Sequence, residues 1–401
     1  RDAAALADSL AELNDVPIAN WRLAGHRDAD FTATDLVVVN PAVRPDSRFV
    51  AAARAAGARV ASEIELFLDR CPARVIGVTG SNGKSTTAAM IAAILTAAGR
   101  RAWLGGNIGR SLLGDLSGMA AEDFVVLELS SFQLDWLPAE SRWPAIAVIT
   151  NCTPNHLDWH GTFAAYRHAK QRLLRHQAAE GAAILNVADP GVRDWRHLVR
   201  GSLLAVADDR GVPALRVPGR HNRQNAACAA AAAGAVGCSA AAIAGALATF
   251  GGLPHRLQLV AEVAGRRFYN DSMATTPESV MAALDTFAGG WFLVGGYDKG
   301  VDYAQMAARL AREAQGVACY GAVREKLAAL ITRQPRGCGV VSCATLDDAL
   351  AWCWQRAQTG DAIVLSPACA SYDQFRDYRD RGEKFAALAR ALIDRDASIA
   401  R

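Results

Sequence analysis

Short apolar segments alternate along this chain with longer segments in which apolar residues recur every three or four positions. Continuous apolar runs are typical of buried strands, and the three-to-four spacing is typical of helices with one buried face. The predicted strands are 35–40, 59–60, 74–79, 124–129, 145–150, 182–186, 267–270, 291–295, 317–320 and 362–366. The predicted helices are 1–13, 46–57, 63–68, 84–98, 163–178, 222–234, 239–249, 277–287, 303–314 and 345–357. This alternation predicts an α/β protein whose parallel sheets are covered by helices on both faces.

Two breaks interrupt the alternation, at Cys71-Pro72 and at Gly251-Gly252-Leu253-Pro254. A chain of 401 residues is also too long for one ordinary core. We therefore predict three domains: an N-terminal Rossmann-like fragment (1–68), a central parallel-sheet domain (69–254) and a C-terminal Rossmann-like, doubly wound domain (255–401). The glycine pair is a candidate hinge between the last two.

Composition narrows the class of protein. Hydrophobic residues make up 51% and charged residues 21%, which fits a globular protein. The net charge of +3 and the absence of a basic run mixed with aromatics give no reason to expect nucleic acid or a membrane as a partner. The nine cysteines form no CxxC pair, so we expect reduced, mostly buried thiols and a cytoplasmic protein, without a signal sequence or membrane span.

The segment from Arg74 to Thr87 breaks from an apolar strand into glycines and then into a helical pattern. This order predicts a strand, a phosphate-binding loop and a helix, because backbone N–H groups from Gly80 to Ser85 and the helix N-terminus can face an anion. Lys84 supplies a cation and Ser85 a ligand for Mg²⁺, so we predict an ATP site in the central domain. The match to the general Walker pattern is imperfect, because Val78 stands where that pattern has its first glycine.

Further candidates follow other predicted strands, where ligands gather in parallel sheets. Glu128 ends one strand and can hold Mg²⁺ beside Ser85; the alternative is an edge carboxylate that faces solvent, which the polar loop predicted at Ser130-Ser131-Phe132-Gln133 disfavours. His156 follows the next strand and can ligate a second metal ion, with His160 as its competitor. Lys170 lies on a helix rich in positive charge, and its local sequence favours a solvated face.

Other polar residues have an ordinary structural explanation beside a functional one. Asn222 is either the N-cap of an alanine-rich helix or, with Asn225, a nucleotide contact. Asn270-Asp271-Ser272 favours a turn or cap before Pro277. The glycine-rich segment 295–300 is weak support for a second anion site.

Taken together, several blocks resemble the Mur ligase family, most closely its MurD type, which joins D-glutamate to UDP-N-acetylmuramoyl-L-alanine. The blocks are Thr79–Thr86, Gly105–Gly109, Glu128–Leu134, Asn155–Asp158, Tyr166–Lys170, His221–Asn225, Gly252–Arg256, Asn270–Ser272 and Ser366–Phe375. Leu129–Leu134 and Ser366–Ser371 favour the MurD type over its sister ligases. The resemblance implies three-domain Mur ligase architecture with a central P-loop ATPase domain, and a monomeric enzyme of cytoplasmic peptidoglycan precursor synthesis.

The resemblance also implies a mechanism, in which ATP phosphorylates the carboxylate of the sugar nucleotide and the amine of glutamate attacks the acyl phosphate. It implies that Lys84 holds the β- and γ-phosphates, that Ser85 and Glu128 bind one Mg²⁺ ion, and that His156 and Lys170 bind a second. Because an ammonium group cannot ligate Mg²⁺, Lys170 is implied to carry a carbamate formed from CO₂. The residues implied to contact ATP are Gly80, Ser81, Asn82, Gly83, Lys84, Ser85, Thr86, Asn225, Arg256 and Asp271. The residues implied to face the sugar nucleotide or the incoming glutamate are Asn40, Asn107, Ser130, Gln133, His255, Thr275, Lys299, Ser371, Tyr372 and Tyr378.

Two departures from the MurD pattern matter. Met273 stands where many MurD sequences have lysine, so an L-glutamate-adding variant is an alternative. The chain starts at Arg1 in helix-like sequence, without the family's glycine-rich uridine-binding turn, so we expect roughly 40 residues of a βαβ start to be absent and uridine binding to be weak without them.

Two other functions remain open from the sequence. A folylpolyglutamate synthetase-like ligase shares the fold and also adds glutamate, but it would not need the 35–68 segment. A P-loop module that uses nucleotide only as a switch would not need Glu128, His156 and Lys170 in one site. In the ligase, we expect three domains to close about 251–256 when substrates bind.

Overall fold

The computed structural model describes residues 10, 13, 15–23, 25–108, 111–298, 300–335 and 337–399, with side chains described up to residue 393. The predicted helix at 1–13 lies outside these residues except for positions 10 and 13. The chain divides into two compact units, one formed by 1–82 with 102–205 and the other by 83–101 with 206–401. The predicted boundaries of three domains stay a prediction.

The first unit contains two sheets and their covering helices. Its elements are α1 (Asp28–Thr32), β1 (Leu36–Val39), α2 (Arg48–Ala55), β2 (Arg59–Ser62), α3 (Glu63–Arg70), β3 (Arg74–Thr79), β4 (Ala102–Gly106), β5 (Phe124–Glu128), α5 (Ser131–Trp136), β6 (Ile146–Ile149), α6 (Leu157–His160), α7 (Phe163–Arg175), β7 (Ala182–Asn186) and β8 (Ser202–Val206). Two 3₁₀ helices, Leu113–Gly118 and Arg193–Leu198, complete it.

In the large sheet of this unit the strand order is β4-β5-β3-β6-β7-β8, and the pairs from β4 to β7 are parallel. The three central strands are almost continuously apolar and buried, as expected for a sheet covered on both faces. The carboxyl ends of β5, β3 and β6 therefore meet at one edge, which brings together the residues that follow each strand.

The small sheet pairs β1 with β2 in parallel, with Leu36 opposite Arg59. Its own apolar cluster is small and consists of Val39, Val50 and Trp136, with Val37 and Val60 packed against them. Trp136 lies on α5, which follows β5 of the large sheet. A helix that connects two strands of the large sheet therefore contributes to the core of the small sheet.

The second unit contains α4 (Lys84–Ala97), α8 (Arg220–Ala235), α9 (Ala240–Thr249) and a third sheet with its helices. The remaining elements are β9 (Gln258–Val263), β10 (Arg266–Asn270), α10 (Pro277–Thr286), β11 (Trp291–Gly295), α11 (Ala304–Glu313), β12 (Gly316–Tyr320), α12 (Arg324–Thr332), β13 (Gly339–Cys343), α13 (Leu346–Arg356), β14 (Ala362–Ala368) and α14 (Tyr378–Ile399). The sheet order is β13-β12-β11-β14-β10-β9, and all its pairs are parallel except β9 with β10.

The predicted α/β class is confirmed, and each predicted strand and helix in the described residues has a counterpart within a few residues. The patterns missed β4, β8, β9, β13, α1, α5, α6, α12 and α14. β4 is Ala-Trp-Leu-Gly-Gly, whose two glycines hide its strand character, and β8 and β13 are only partly buried. Short elements and weakly apolar edge strands leave little pattern to detect.

All nine cysteines lie in the described residues and are free, and eight of them are buried. The expectation of reduced, mostly buried thiols is therefore confirmed. Among the helices that the structure describes, none combines the length and apolar character needed to cross a membrane.

Candidate functional site

The predicted phosphate loop leaves β3 and is held by the end of β6. The N–H of Ser81 donates to the carbonyl of Asn151 at 3.1 Å, and the N–H of Asn82 donates to the Asn151 side chain at 2.8 Å. The Thr150 hydroxyl donates to the carbonyl of Asn82 at 2.7 Å. The N–H groups of Ser81 and Asn82, which were expected to be able to face an anion, therefore donate to Asn151 in this structure.

Two glycines of this loop have conformations and neighbours that exclude a side chain. Gly80 has φ +155° and Gly83 has φ +78°. A Cβ on Gly80 would overlap the hydroxyl of Thr150, and one on Gly83 would overlap the amide oxygen of Asn225. The loop can follow this path only with glycine at both positions.

Ser81 connects the loop to α7. Its hydroxyl donates to the carbonyl of Thr153 at 2.8 Å, accepts from the N–H of Thr153 at 2.9 Å and lies 2.9 Å from the phenol oxygen of Tyr166. Tyr166 is buried, and burial raises the pKa of its phenol to about 12. The phenol therefore stays protonated near neutral pH and is a permanent partner for Ser81.

Glu128 ends β5, next to β3, and its side chain is only 2% exposed. One carboxylate oxygen accepts from the Asn107 side chain at 2.9 Å. The other is buried, and within the described chain it has no hydrogen-bond partner. A buried carboxylate oxygen without a partner is costly unless a cation meets it, so Glu128 fits a ligand of Mg²⁺.

Lys170 is also buried, with 1% of its surface exposed. Its ammonium nitrogen lies 2.9 Å from the carbonyl of Gly80, 3.5 Å from the Thr79 hydroxyl and 4.6 Å from the centre of the Tyr166 ring. The solvated face that the local sequence favoured is therefore wrong. The signal was present in the spacing of α7, whose buried residues are Tyr166, Ala169, Lys170, Leu173 and Leu174.

The two candidate histidines lie at the ends of α6. His156 is exposed, occupies the N-cap position and has the left-handed φ of 53°, which is uncommon outside glycine. The ring of His160 lies 2.9 Å from the Ser131 hydroxyl, and burial, aided by the charges of His156 and Lys170, lowers its pKa to about 4. His160 is thus neutral at pH 7 and lies within hydrogen-bond distance of Ser131.

The segment that follows Glu128 is a helix and not the predicted polar loop. Ser130 is the N-cap of α5, its hydroxyl accepts from the N–H of Gln133 at 3.2 Å, and the Gln133 side chain accepts from the N–H of Ser130 at 3.0 Å. This reciprocal arrangement is a capping box, and the Ser-x-x-Gln spacing could have revealed it. Both residues therefore have a structural role at the start of α5.

Asn40, after β1, is exposed, and its side chain accepts from the N–H of Ala42 at 2.9 Å. Its amide oxygen thus closes a turn of its own backbone.

In the second unit, Asn225 and Asn222 lie on the first turns of α8. Asn222 is the third residue of the helix and not its N-cap, which is Gly219. Its side chain donates to the carbonyl of Pro218 at 2.6 Å and accepts from the Asn225 side chain at 3.3 Å. Asn225 is buried beside Gly83 at the start of α4, where the predicted nucleotide contact would lie.

Asp271 follows β10 and is 8% exposed. It accepts from the Ser366 hydroxyl at 2.9 Å and from the N–H of Leu257 at 3.2 Å. Burial raises its pKa to about 7, although these bonds and the charge of Arg256 oppose the shift. Asn270 accepts from the N–H of Ser272, so the expected turn at 270–272 is confirmed.

His255 lies close to the same strand end. Its ring lies 3.0 Å from the Asn270 amide nitrogen and edge-on to Tyr378 at 5.8 Å, and burial lowers its pKa.

The residues expected to bind glutamate vary in exposure. Ser371 is buried, Thr275 is half-buried and Tyr372 is 71% exposed. Met273 is exposed, and its carbonyl accepts from the N–H of Thr275 at 2.9 Å. Lys299 lies outside the described residues.

Sequence reasoning missed Arg381, on α14. Its guanidinium is fully buried and donates to the hydroxyl and carbonyl of Ser272, at 2.9 and 2.8 Å, and to the carbonyl of Cys369 at 3.1 Å. It connects the turn after β10 to the end of β14. No local pattern marks it, because its partners are about 110 and 12 positions away.

The described residues contain no group of three His, Cys, Asp or Glu side chains that could hold a metal ion.

Comparison with known proteins identifies the family. Residues 78–207 match the Mur ligase middle domain, and residues 255–369 match the Mur ligase glutamate ligase domain. The chain is 36% identical to the UDP-N-acetylmuramoylalanine--D-glutamate ligase of Geobacter metallireducens, over 98% of this chain and 91% of that protein. It is 38% identical to the ligase of the same name from Solibacter usitatus, over 92% and 87% of the two chains.

Solved structures agree on the fold at lower identity. MurF from Thermotoga maritima, in complex with ADP, has 18% identity and a TM-score of 0.62 over 91% of this chain and 99% of that one. Escherichia coli FolC in complex with DHPP and ADP has 18% identity and a TM-score of 0.60 over 97% and 98%. With two family domains matched and relatives above 30% identity along nearly its whole length, the chain belongs to the Mur ligase family of ligases.

Proposed function

We propose that this enzyme joins D-glutamate to UDP-N-acetylmuramoyl-L-alanine, consuming ATP and releasing ADP and phosphate. The observation that carries the proposal is the 36% identity over 98% of the chain to a ligase named for that product. Relatives with the same name recur at 33–38% identity. The likeness to FolC extends to the fold alone, so it gives a folate-type acceptor less support.

The reaction needs an activated carboxylate. An oxygen of the alanine carboxylate attacks the γ-phosphorus of ATP, the bond to ADP breaks, and an acyl phosphate forms. The amine of glutamate then attacks the acyl carbon, loses a proton, and displaces inorganic phosphate. Positioning and neutralisation of charge do most of the work in such phosphoryl transfers.

We assign the parts as follows. Lys84, with Gly80, Ser81, Asn82, Gly83, Ser85 and Thr86 of the loop and first turn of α4, binds the phosphates of ATP. Asn225, Arg256 and Asp271 contact the rest of the nucleotide. The support in the structure is the strict glycine requirement at Gly80 and Gly83 and the position of Asn225 beside Gly83.

Ser85 and Glu128 would hold one Mg²⁺ ion, and His156 with Lys170 a second. Bound there, Mg²⁺ supplies positive charge that neutralises the γ-phosphate during transfer. The unpartnered carboxylate oxygen of Glu128 supports the first assignment. Asn107, through its bond to the other oxygen, keeps that carboxylate in one orientation.

Lys170 takes part in this proposal as a carbamate. Its neutral amine adds to CO₂, a nitrogen–carbon bond forms and a proton leaves, which turns a cation into an oxygen ligand. Its burial, 2.9 Å from the Gly80 carbonyl, supports a role at the phosphate loop and not on the surface. Enzyme given ¹³CO₂ should show a carbamate carbon signal that Lys170→Ala lacks, and CO₂ depletion should slow turnover. Full activity without CO₂, or a signal that survives the substitution, would refute the carbamate.

Asn40, Asn107, Ser130, Gln133 and His255 are assigned to the sugar nucleotide side. Thr275, Lys299, Ser371, Tyr372 and Tyr378 are assigned to glutamate. Ser130 and Gln133 form the capping box of α5, so they contribute to binding of the sugar nucleotide indirectly, by fixing the start of that helix.

The test is phosphate release from ATP with three pairs of acceptor and amino acid: the sugar nucleotide with D-glutamate, the sugar nucleotide with L-glutamate, and a pteroate with L-glutamate. We expect release with the first pair. Release only with the sugar nucleotide and L-glutamate would support the L-glutamate-adding variant that Met273, an exposed residue, suggested. Release only with the pteroate would support a folylpolyglutamate synthetase-like ligase. Release without any carboxylate acceptor would contradict every ligase assignment.

We also propose a monomer in the cytoplasm. The nine free cysteines support a reducing compartment. Light scattering of the purified protein tests the monomer.

A further inference from the structure

Two tryptophans hold the backbone of the loop that leaves β1. The indole N–H of Trp136 donates to the carbonyl of Val43 at 2.9 Å, and the indole N–H of Trp159 donates to the carbonyl of Ala42 at 3.0 Å. The same loop closes on itself, since Ala42 and Val43 donate to the side chain and carbonyl of Asn40, both at 2.9 Å. The carbonyls of Ala42 and Val43 are thus bonded to tryptophans from other parts of the chain, and the N–H groups of the same two residues are bonded to Asn40 within the loop.

Each tryptophan lies on a short helix that starts beside a proposed metal ligand. Trp136 is the last residue of α5, whose N-cap, Ser130, is two residues after Glu128. Trp159 lies on α6, whose N-cap is His156. Each proposed metal ligand is therefore only one or two helical turns away from the tryptophan that contacts the loop after β1.

The contacts around both rings make these connections stiff. Trp136 is buried in the core of the small sheet with Val39 and Val50. Trp159 is half-buried and packs on Phe132, at 4.7 Å, and on His160, at 4.5 Å between ring centres. His160 in turn is bonded to Ser131, so α5 and α6 are joined to each other as well.

The loop lies at the carboxyl end of a parallel strand, where ligands of α/β proteins bind. We propose that Trp136 and Trp159 are positioning residues that fix the Asn40–Val43 loop relative to Glu128 and His156. They thereby set the distance between the site for the nucleotide part of the acceptor and the site where its carboxylate reacts. This inference rests on the proposed function, in which Asn40 faces the sugar nucleotide.

Trp159→Phe tests the inference, because phenylalanine keeps an aromatic ring but has no N–H. Loss of one hydrogen bond to the loop should raise KM for UDP-N-acetylmuramoyl-L-alanine about three- to tenfold. The kcat and the KM values for ATP and D-glutamate should stay within about twofold, because the other substrates do not use the loop. Trp136→Phe should act in the same direction, with a lower melting temperature because this ring is in a core.

Trp143→Phe is the matched control. Its indole N–H donates to the carbonyls of Pro138 and Ala139, at 3.1 and 3.2 Å, in the segment that follows α5 and not in the Asn40–Val43 loop. It should change none of the three KM values. If Trp159→Phe and Trp143→Phe behave alike, or if Trp159→Phe lowers kcat and raises every KM together, the inference is wrong.

Amide hydrogen exchange separates this inference from the proposed function. In Trp159→Phe the amides of Ala42 and Val43 should exchange faster than in the wild type, and the amide of Ala139 should not. Unchanged exchange at 42–43 would overturn the inference even if the sugar nucleotide is the substrate. If the wild type does not use the sugar nucleotide, the proposed function is wrong, and so is the role of the tryptophans in positioning that substrate. Faster exchange at 42–43 would still show that the tryptophans hold the loop.

Discussion

The Glu128 carboxylate has one oxygen bonded to Asn107 and the other buried without a partner in the described chain. Glu128→Gln keeps the size of the side chain and removes its charge. We expect kcat to fall about 100-fold or more, because a neutral amide is a poor ligand for Mg²⁺. Thermal stability should be unchanged or higher, because the charge beside the buried oxygen that has no partner in the described chain is lost.

Steady-state rates over a range of Mg²⁺ concentrations and thermal melting measure both effects. Glu140→Gln, an exposed carboxylate elsewhere in the same unit, is the control and should leave both unchanged. A Glu128→Gln enzyme with nearly normal kcat would remove Glu128 from the metal site.

Asp271 makes stability depend on pH in a definite direction. Burial raises its pKa from 3.8 to about 7, so between these values the folded protein keeps a proton that the unfolded chain has released. The contribution of Asp271 to stability is therefore full below about pH 4 and is lost as pH rises to about 7. Asp271→Asn cannot titrate, so its melting temperature should rise relative to the wild type as pH increases from 5 to 8.

Melting curves at several pH values provide the measurement, with Glu278→Gln, an exposed carboxylate of α10, as the control. A constant difference between the wild type and Asp271→Asn over this range would mean that the pKa of Asp271 is not raised.

The junction between the phosphate loop and α4 depends on Gly83, the N-cap of the helix. Gly83→Ala must adopt a left-handed φ and displace the Asn225 side chain. We expect ATP affinity to fall about tenfold or more, since the strain and the displaced amide both act at the nucleotide site. Gly99→Ala is matched to it, because Gly99 follows the same helix with φ +74° but has open space around its Cβ position.

Titration calorimetry with ATP should therefore separate the two substitutions, although both lower stability by about 1 kcal/mol. Equal affinities for ATP in Gly83→Ala and Gly99→Ala would show that the contact with Asn225 is unimportant.

The capping box of α5 gives a second prediction at the scale of elements. Ser130→Ala removes the bond to the N–H of Gln133 and should lower stability by about 1 kcal/mol, while Ser130→Thr should retain most of it. The KM for the sugar nucleotide should change little. A raised KM with unchanged stability would instead indicate that the Ser130 hydroxyl contacts the substrate directly.

At the scale of the whole molecule, local patterns predicted the fold class and most elements. The phosphate loop was predictable because a strand, its glycines and the helix after it are adjacent in sequence. The burial of Lys170 was predictable in principle, from the three-to-four spacing of Tyr166, Ala169, Leu173 and Leu174 around it, but the neighbouring charges obscured the pattern.

Contacts between distant segments could not be predicted. β9 pairs with β10 in antiparallel orientation at the edge of the sheet. The sequence of a short segment does not show which edge of a sheet is available for such pairing. Arg381 is buried only because Ser272 and Cys369 bring their oxygens to it. The indole bonds to Ala42 and Val43 likewise join positions about 120 and 90 residues apart.

Isotope transfer shows whether the enzyme activates a carboxylate by phosphorylating it. UDP-N-acetylmuramoyl-L-alanine labelled with ¹⁸O in its carboxylate is converted with ATP and D-glutamate, and the released phosphate is analysed by mass spectrometry. We expect one ¹⁸O atom in each phosphate, because a carboxylate oxygen leaves with the phosphoryl group. Phosphate without ¹⁸O, formed while the amide product accumulates, would contradict it.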